Sequence, residues 1–163
     1  MISASIQAAM NEQIGNEFFS ALAYLSMSAY CEAEDLPGAS AWLRAQYQEE
    51  LTHAMKFVDF IQDRDGRVSI SATDRPPEEF ASLVSVFETA LAQERAVTAQ
   101  INAIYAAAVA EDDYASQAFL DWFVTEQVEE EKSVSDVVER LKLAGDNSAA
   151  ILIVDSELGG RSG

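Results

Sequence analysis

Four long stretches of the chain repeat apolar residues at steps of three and four, the spacing that gathers side chains on one face of an α-helix. They cover roughly residues 4–33, 38–65, 78–110 and 113–143. The second stripe runs Leu43, Tyr47, Glu50, Ala54, Phe57 and Ile61, and the third runs Phe80, Leu83, Phe87, Leu91, Glu94, Thr98, Ile101 and Tyr105. The fourth runs Leu120, Phe123, Gln127, Glu130, Val134, Val137 and Leu141. Nothing alternates in the manner of a strand, and glycine and proline gather between the stripes, so the fold class is all-α.

The joints between stripes set the topology. "EDLP", Glu34 to Pro37, and "EDDY", Glu111 to Tyr114, are short, so each joins an antiparallel pair, with Pro37 suited to a helix start. "DGRVSISATDRPP", Asp65 to Pro77, is too rich in breakers to continue a helix. Extended, it reaches about 43–47 Å, and a helix of ~28 residues is about 42 Å long. The linker can therefore return the chain along the whole bundle, giving two hairpins joined by one long crossover. Gly145 reads as a helix stop, and the apolar segment beyond it predicts a short fifth helix over about 148–158. That segment is too small for a core of its own, so it caps the bundle or meets copies of itself.

Each stripe is broken near its middle by a polar group. Glu17 shares a face with Ile14 and Tyr24; Glu50 and His53 are one turn apart; Glu94 sits at the centre of the third stripe; Gln127 and Glu130 stand where leucine belongs. The predicted helix midpoints fall near residues 18, 51, 94 and 128. Midpoints of equal-length helices lie at one height whichever way each helix runs, so the interruptions converge on one interior layer. Buried carboxylates cost several kcal/mol each in desolvation, roughly, and repel one another. No lysine or arginine on these stripes offsets them. Four acids, one imidazole and one amide carbonyl suit divalent first-row metals, iron or manganese better than structural zinc. Glu50, sharing a turn with His53, can bridge two ions. The bland alternative, partly exposed glutamates, would have to hold in four helices at matching heights.

Composition narrows the partners. Twenty-eight acidic against 10 basic side chains leave a formal charge of −18, which repels nucleic acid and anionic lipid and concentrates cations, although solubility alone would also account for much of it. No stretch approaches the ~18 consecutive apolar residues of a membrane span. The start, "MISASIQAAMNEQ", lacks the features of a signal peptide, and a lone Cys31 allows no intrachain disulfide. The expected location is the cytoplasm.

Several segments resemble the bacterial non-haem ferritins, in order and along essentially the whole chain. They are "NEQIGNEFFSALAYLSMSAYC" (Asn11 to Cys31), "EELTHAMKF" (Glu49 to Phe57), "ALAQERAVTAQIN" (Ala90 to Asn102), "FLDWFVTEQVEEEK" (Phe119 to Lys132) and "LIVDSEL" (Leu152 to Leu158). The resemblance implies a ferritin-like four-helix bundle and a ferroxidase centre inside each subunit. Glu17, Glu50 and His53 would hold a first iron, and Glu50 would bridge to a second held by Glu94, with Gln127 and Glu130 nearby. Glu49, Glu126, Glu129 and Glu130 would form a third, weaker site leading to a storage cavity. Tyr24 matches the family's redox-active tyrosine; it is equally a core aromatic whose hydroxyl binds a carboxylate, and neither role excludes the other. Trp122 lies near in the motif.

Departures from relatives sharpen the expectation. Leu51 stands where bacterioferritins carry a haem-binding methionine, so haem is not expected. Gln127 and Glu130 replace a second Glu-x-x-His, which favours transient substrate iron over a permanent di-iron cofactor. Val128 stands where some relatives have histidine, and Glu131 reads as solvated. The implied activity is oxidation of Fe(II) by oxygen or peroxide, with mineral stored in a homo-oligomeric shell of twenty-four subunits. A soluble di-iron oxygenase acting on a small organic substrate would use the same ligands, and a purely structural bundle would need no metal.

Overall fold

The computed structural model describes residues 1–160 and contains five helices among them: α1 (Ala4–Ala33), α2 (Pro37–Asp63), α3 (Leu83–Ala110), α4 (Tyr114–Ala144) and α5 (Ser148–Gly159). Local chemistry explains most of the helix starts. Ser3, Ser82, Asp113 and Asn147 each accept a backbone N–H from the first turn of the helix they precede. Pro37 opens α2 as expected, but no side chain of α2's own caps it. Gly145 ends α4 with φ of 53°, the left-handed region in which a β-carbon is costly.

Two expected boundaries move. Helix α3 begins at Leu83 rather than near 78, because Ser82 and Ser85 form a reciprocal capping box that fixes the helix start there. Phe80 therefore lies before the helix, where its ring meets Tyr30 edge-on at 5.1 Å. Helix α2 ends at Asp63 rather than 65, since Asp65 takes a positive φ of 55° and turns the chain away.

The linker, residues 64–82, runs along α1 from end to end. Gln7 and Asn11 accept the N–H groups of Arg67 and Ser69, Asn11 also donates to the Arg67 carbonyl, and Ser26 and Tyr30 donate to the carbonyls of Pro77 and Phe80. Polar side chains of α1 thus satisfy backbone groups that no helix ladder serves. The crossover carries the chain back, so α2 and α3 run in the same direction.

The apolar core is divided in two. One cluster joins Ala23, Met27 and Cys31 of α1 to Trp42 and Leu43 of α2, Phe87 and Leu91 of α3, Val134 and Leu141 of α4, and Val154 and Leu158 of α5. The other joins Ile6, Met10 and Ile14 to Phe57, Ile61, Val97, Ile101, Leu120 and Phe123. In every long helix the polar interruption falls between its contributions to the two clusters. Helix α5 closes the first end: Asp155 is buried there and accepts the backbone N–H groups of Gly38 and Ala39. No helix of the described residues is long and apolar enough to cross a membrane.

Candidate metal centre

The layer between the two apolar clusters holds Glu17, Glu50, His53, Glu94, Gln127 and Glu130, with Tyr24 of the first cluster at its edge, all buried. Glu17 comes from α1, Glu50 and His53 from α2, Glu94 from α3, and Gln127 and Glu130 from α4, so the convergence inferred from helix midpoints is realised. Ligand atoms of Glu17, Glu50 and His53 lie within 4.8 Å of one another. So do those of His53, Glu126 and Glu130. His53 belongs to both groups and links them.

Hydrogen bonds orient the remaining oxygens. Tyr24 donates its hydroxyl to Glu94 Oε1 at 2.5 Å, while Gln127 Nε2 lies 3.2 Å from both Glu94 Oε2 and the Glu94 carbonyl. Tyr24 is thus a core aromatic bound to a carboxylate, as one of its two expected roles requires. Gln13 Nε2 donates to Glu17 Oε1 at 2.8 Å. Glu17 Oε2 and Glu50 Oε2 are buried and find no donor on any other residue, and the two carboxyls lie near enough to share a proton with each other. His53 Nδ1 lies 3.3 Å from Glu50 Oε2, close but not aligned as a hydrogen bond. Orphaned buried oxygens are costly, and here two belong to adjacent carboxylates.

The electrostatics say the same. Burial, then the neighbouring Glu50, pushes the Glu17 carboxyl well above the usual glutamate range. Burial and then Glu94 do this to Glu50. Glu94 is raised by burial against the lowering effect of its bonds to Tyr24 and Gln127. Glu130 is pushed up to about 8, by burial first and the Glu94 charge second. Burial and the Glu94 charge also raise the Tyr24 hydroxyl well above its ordinary value. Without a cation, Glu130 keeps at neutral pH a proton that bulk water would remove. A pair of divalent ions supplies four positive charges to these acids, and the donor set of oxygens with one imidazole suits iron.

Around this layer the acids open outward. Of the acids expected to form a third site, Glu130 is buried, Glu49 and Glu126 are half-buried and Glu129 is exposed, and Glu126 and Glu130 are brought together with His53. Val128 is 69 % exposed and plays no part in the layer. Glu131 departs from the expected solvated role: it is half-buried and accepts the Thr98 hydroxyl at 2.7 Å. Trp122 packs edge-on against His53 with ring centres 5.5 Å apart, and Lys56 Nζ lies 4.2 Å over the Trp122 ring.

Reading the apolar stripes missed two contributors. Gln13 and Gln46 are both buried in the layer, and Gln46 Nε2 donates to Glu130 Oε2 at 2.7 Å. The signal for Gln46 was present, since it stands three residues after Leu43 and four before Glu50. The stripe passed instead through Tyr47, which is only half-buried.

Comparison with known proteins agrees with this geometry. The ferritin-like domain matches residues 7–144. The chain is 42 % identical to a bacterial non-heme ferritin of Bacteroides fragilis over 161 residues, 99 % of this chain and 100 % of that one. It is 35 % identical to one from Staphylococcus aureus over 162 residues, 99 % and 98 % of the two chains. The crystal structure of an open pore ferritin from the archaeon Archaeoglobus fulgidus superposes with a TM-score of 0.98 at 44 % identity, covering 99 % of this chain and 100 % of that one. With the domain matched over residues 7–144, relatives matched along nearly their whole length and the fold superposing, the chain belongs to the ferritin family.

Proposed function

We propose that this protein stores iron, and that its buried layer is the ferroxidase centre that oxidises Fe(II) before storage. The observation that carries the assignment is the adjacency of Glu17 and Glu50 in the interior, each with an oxygen that finds no donor outside the pair. Family membership favours this over an oxygenase acting on an organic substrate.

Each residue has a role that follows from its place. Glu17, Glu50 and His53 bind the first Fe(II), with His53 supplying the ring nitrogen. Glu50 bridges to the second ion, which Glu94 holds beside Gln127 and Glu130. Tyr24 fixes one oxygen of Glu94, and Gln127 Nε2 donates to the other, so the two together orient this carboxylate toward the pair. Holding two ions together lets one oxidant take an electron from each. Two Fe(II), one O₂ and two protons give two Fe(III) and one H₂O₂; with H₂O₂ as oxidant and two protons, the products are two Fe(III) and two waters. The proton that Glu130 holds up to about pH 8 is released as the ions bind and is available for this balance.

The outward gradation from Glu130 through Glu126 and Glu49 to Glu129 supports a third iron site on the path to storage. The exposed apolar residues Leu152 and Ile153 on α5 support its packing at a symmetry axis of a shell, for which we infer twenty-four subunits. The single unpaired Cys31 supports action in the reducing cytoplasm.

The test mixes iron-free protein with Fe(II) in air and follows the absorbance of Fe(III). Fast growth is expected in the wild type and a large loss in Glu50→Ala and His53→Ala. Oxidation at the wild-type rate in both variants would show that the chemistry lies elsewhere. Size-exclusion chromatography of the same samples reads the shell.

A further inference from the structure

Gln46 is fully buried on α2, one turn before Glu50, where an apolar side chain would satisfy the core. A buried amide is costly unless it is bonded, so its partner matters. That partner is on the opposite hairpin: Nε2 donates to Glu130 Oε2 at 2.7 Å. Glu130 stands where the inner layer meets the acids that open outward, grouped with His53 and Glu126.

A carboxylate offers two oxygens to a metal. An amide donor on one of them leaves the other, and it does so without adding charge or titrating. Gln13 treats Glu17 in the same way, bonding Oε1 and leaving Oε2 with no donor outside the Glu17–Glu50 pair. Two acids of the layer, on α1 and α4, are thus each restrained by a buried glutamine.

We propose that Gln46 is a positioning residue of the iron centre, limiting Glu130 to one free oxygen so that oxidised iron is passed outward instead of being retained. The inference rests on the ferroxidase reading above. A Glu130 freed from the amide would grip Fe(III) through both oxygens, and release, which must precede the next turnover, would slow.

The experiment gives the assembled protein a pair of Fe(II) ions per subunit in air, waits a set time, and adds a second pair. The ratio of the second initial rate to the first, plotted against the wait, measures recovery of the centre within each protein. Gln46→Leu is expected to need a severalfold longer wait than the wild type. Gln46→His, which keeps an N–H donor of similar reach, is expected to restore wild-type recovery, a rescue that simple loss of packing would not produce. If Gln46→Leu does not assemble, Gln46→Met takes its place with the same expectation. Recovery of the apolar variant at the wild-type pace, or a histidine variant as slow as the apolar one, overturns the proposal. A wild type that oxidises no first pair overturns the ferroxidase reading itself, and this proposal with it.

Discussion

Asp155 of α5 caps a helix other than its own: its two carboxylate oxygens accept the N–H groups of Gly38 and Ala39, at 3.1 and 2.7 Å, in the first turn of α2. The preceding Leu36 cannot serve that turn, so the cap arrives from more than a hundred residues downstream. The helices meet closely enough that a β-carbon on Gly38 would lie 1.8 Å from the Asp155 carbonyl oxygen. Asp155→Ala should destabilise the protein by about 1–2 kcal/mol, the usual cost of losing a cap. Gly38→Ala should cost more, because the obstacle is backbone. Thermal unfolding of both variants checks the order, and a Gly38→Ala protein as stable as the wild type would contradict the packing described.

Tyr24 tests how much the layer depends on orientation. Tyr24→Phe removes the donor to Glu94 Oε1 and changes little else in the core. Loss of a group that orients a ligand typically lowers metal affinity or activity about 10- to 100-fold. Stopped-flow oxidation of Fe(II) should show a slowdown of that order, smaller than the loss in Glu50→Ala.

The metal-free protein should weaken as pH rises. In the folded state Glu130 keeps its proton up to about pH 8, whereas an ordinary glutamate loses it near 4.5. Between those values the folded state binds the extra proton. This contribution is therefore fully present below the unfolded value and is lost as pH climbs through about 8. The melting temperature of iron-free protein should fall between pH 6 and pH 8.5, and Glu130→Gln, which carries no titrating carboxyl, should flatten the fall. Binding of Fe(II) without oxygen at pH 7 should release protons, which a weakly buffered titration with a pH indicator detects.

Three aspartates, Asp35, Asp65 and Asp112, follow the ends of α1, α2 and α3 with φ of 58°, 55° and 53°. Each puts a negative charge at the negative end of a helix dipole. Asparagine tolerates the same backbone and removes the charge. Asp→Asn at any of the three should stabilise by about 0.3–1 kcal/mol, less at high salt where such effects are screened. Melting temperatures at two ionic strengths decide it; equal stability at low salt would mean the carboxylates find compensation.

Much of this architecture is legible in the chain because it rests on periodicity. Glu17, Glu50, Glu94 and Glu130 fall on apolar stripes, and their common height follows from counting residues along four helices. The start of α3 was less legible: the stripe extends back to Phe80, but the capping box at Ser82 and Ser85 fixes the boundary, and hydropathy does not register caps. Glu131 looked solvated because it sits in a run of acids, and its partners, the Thr98 hydroxyl and Arg95 at 3.9 Å, both come from α3. Gln13 and Gln46 escaped for a related reason. An amide on an apolar face means little until the carboxylate it bonds has been placed by tertiary structure.

Because the greasy contacts lie in two separate blocks, one toward each end, the spacing among the four long helices at the waist is fixed by residues that never touch iron. Replacing an acid there removes no keystone from either block. Such a scaffold can lose, gain or exchange its ligands without coming apart, which leaves the chemistry at the middle free to vary while the shape endures.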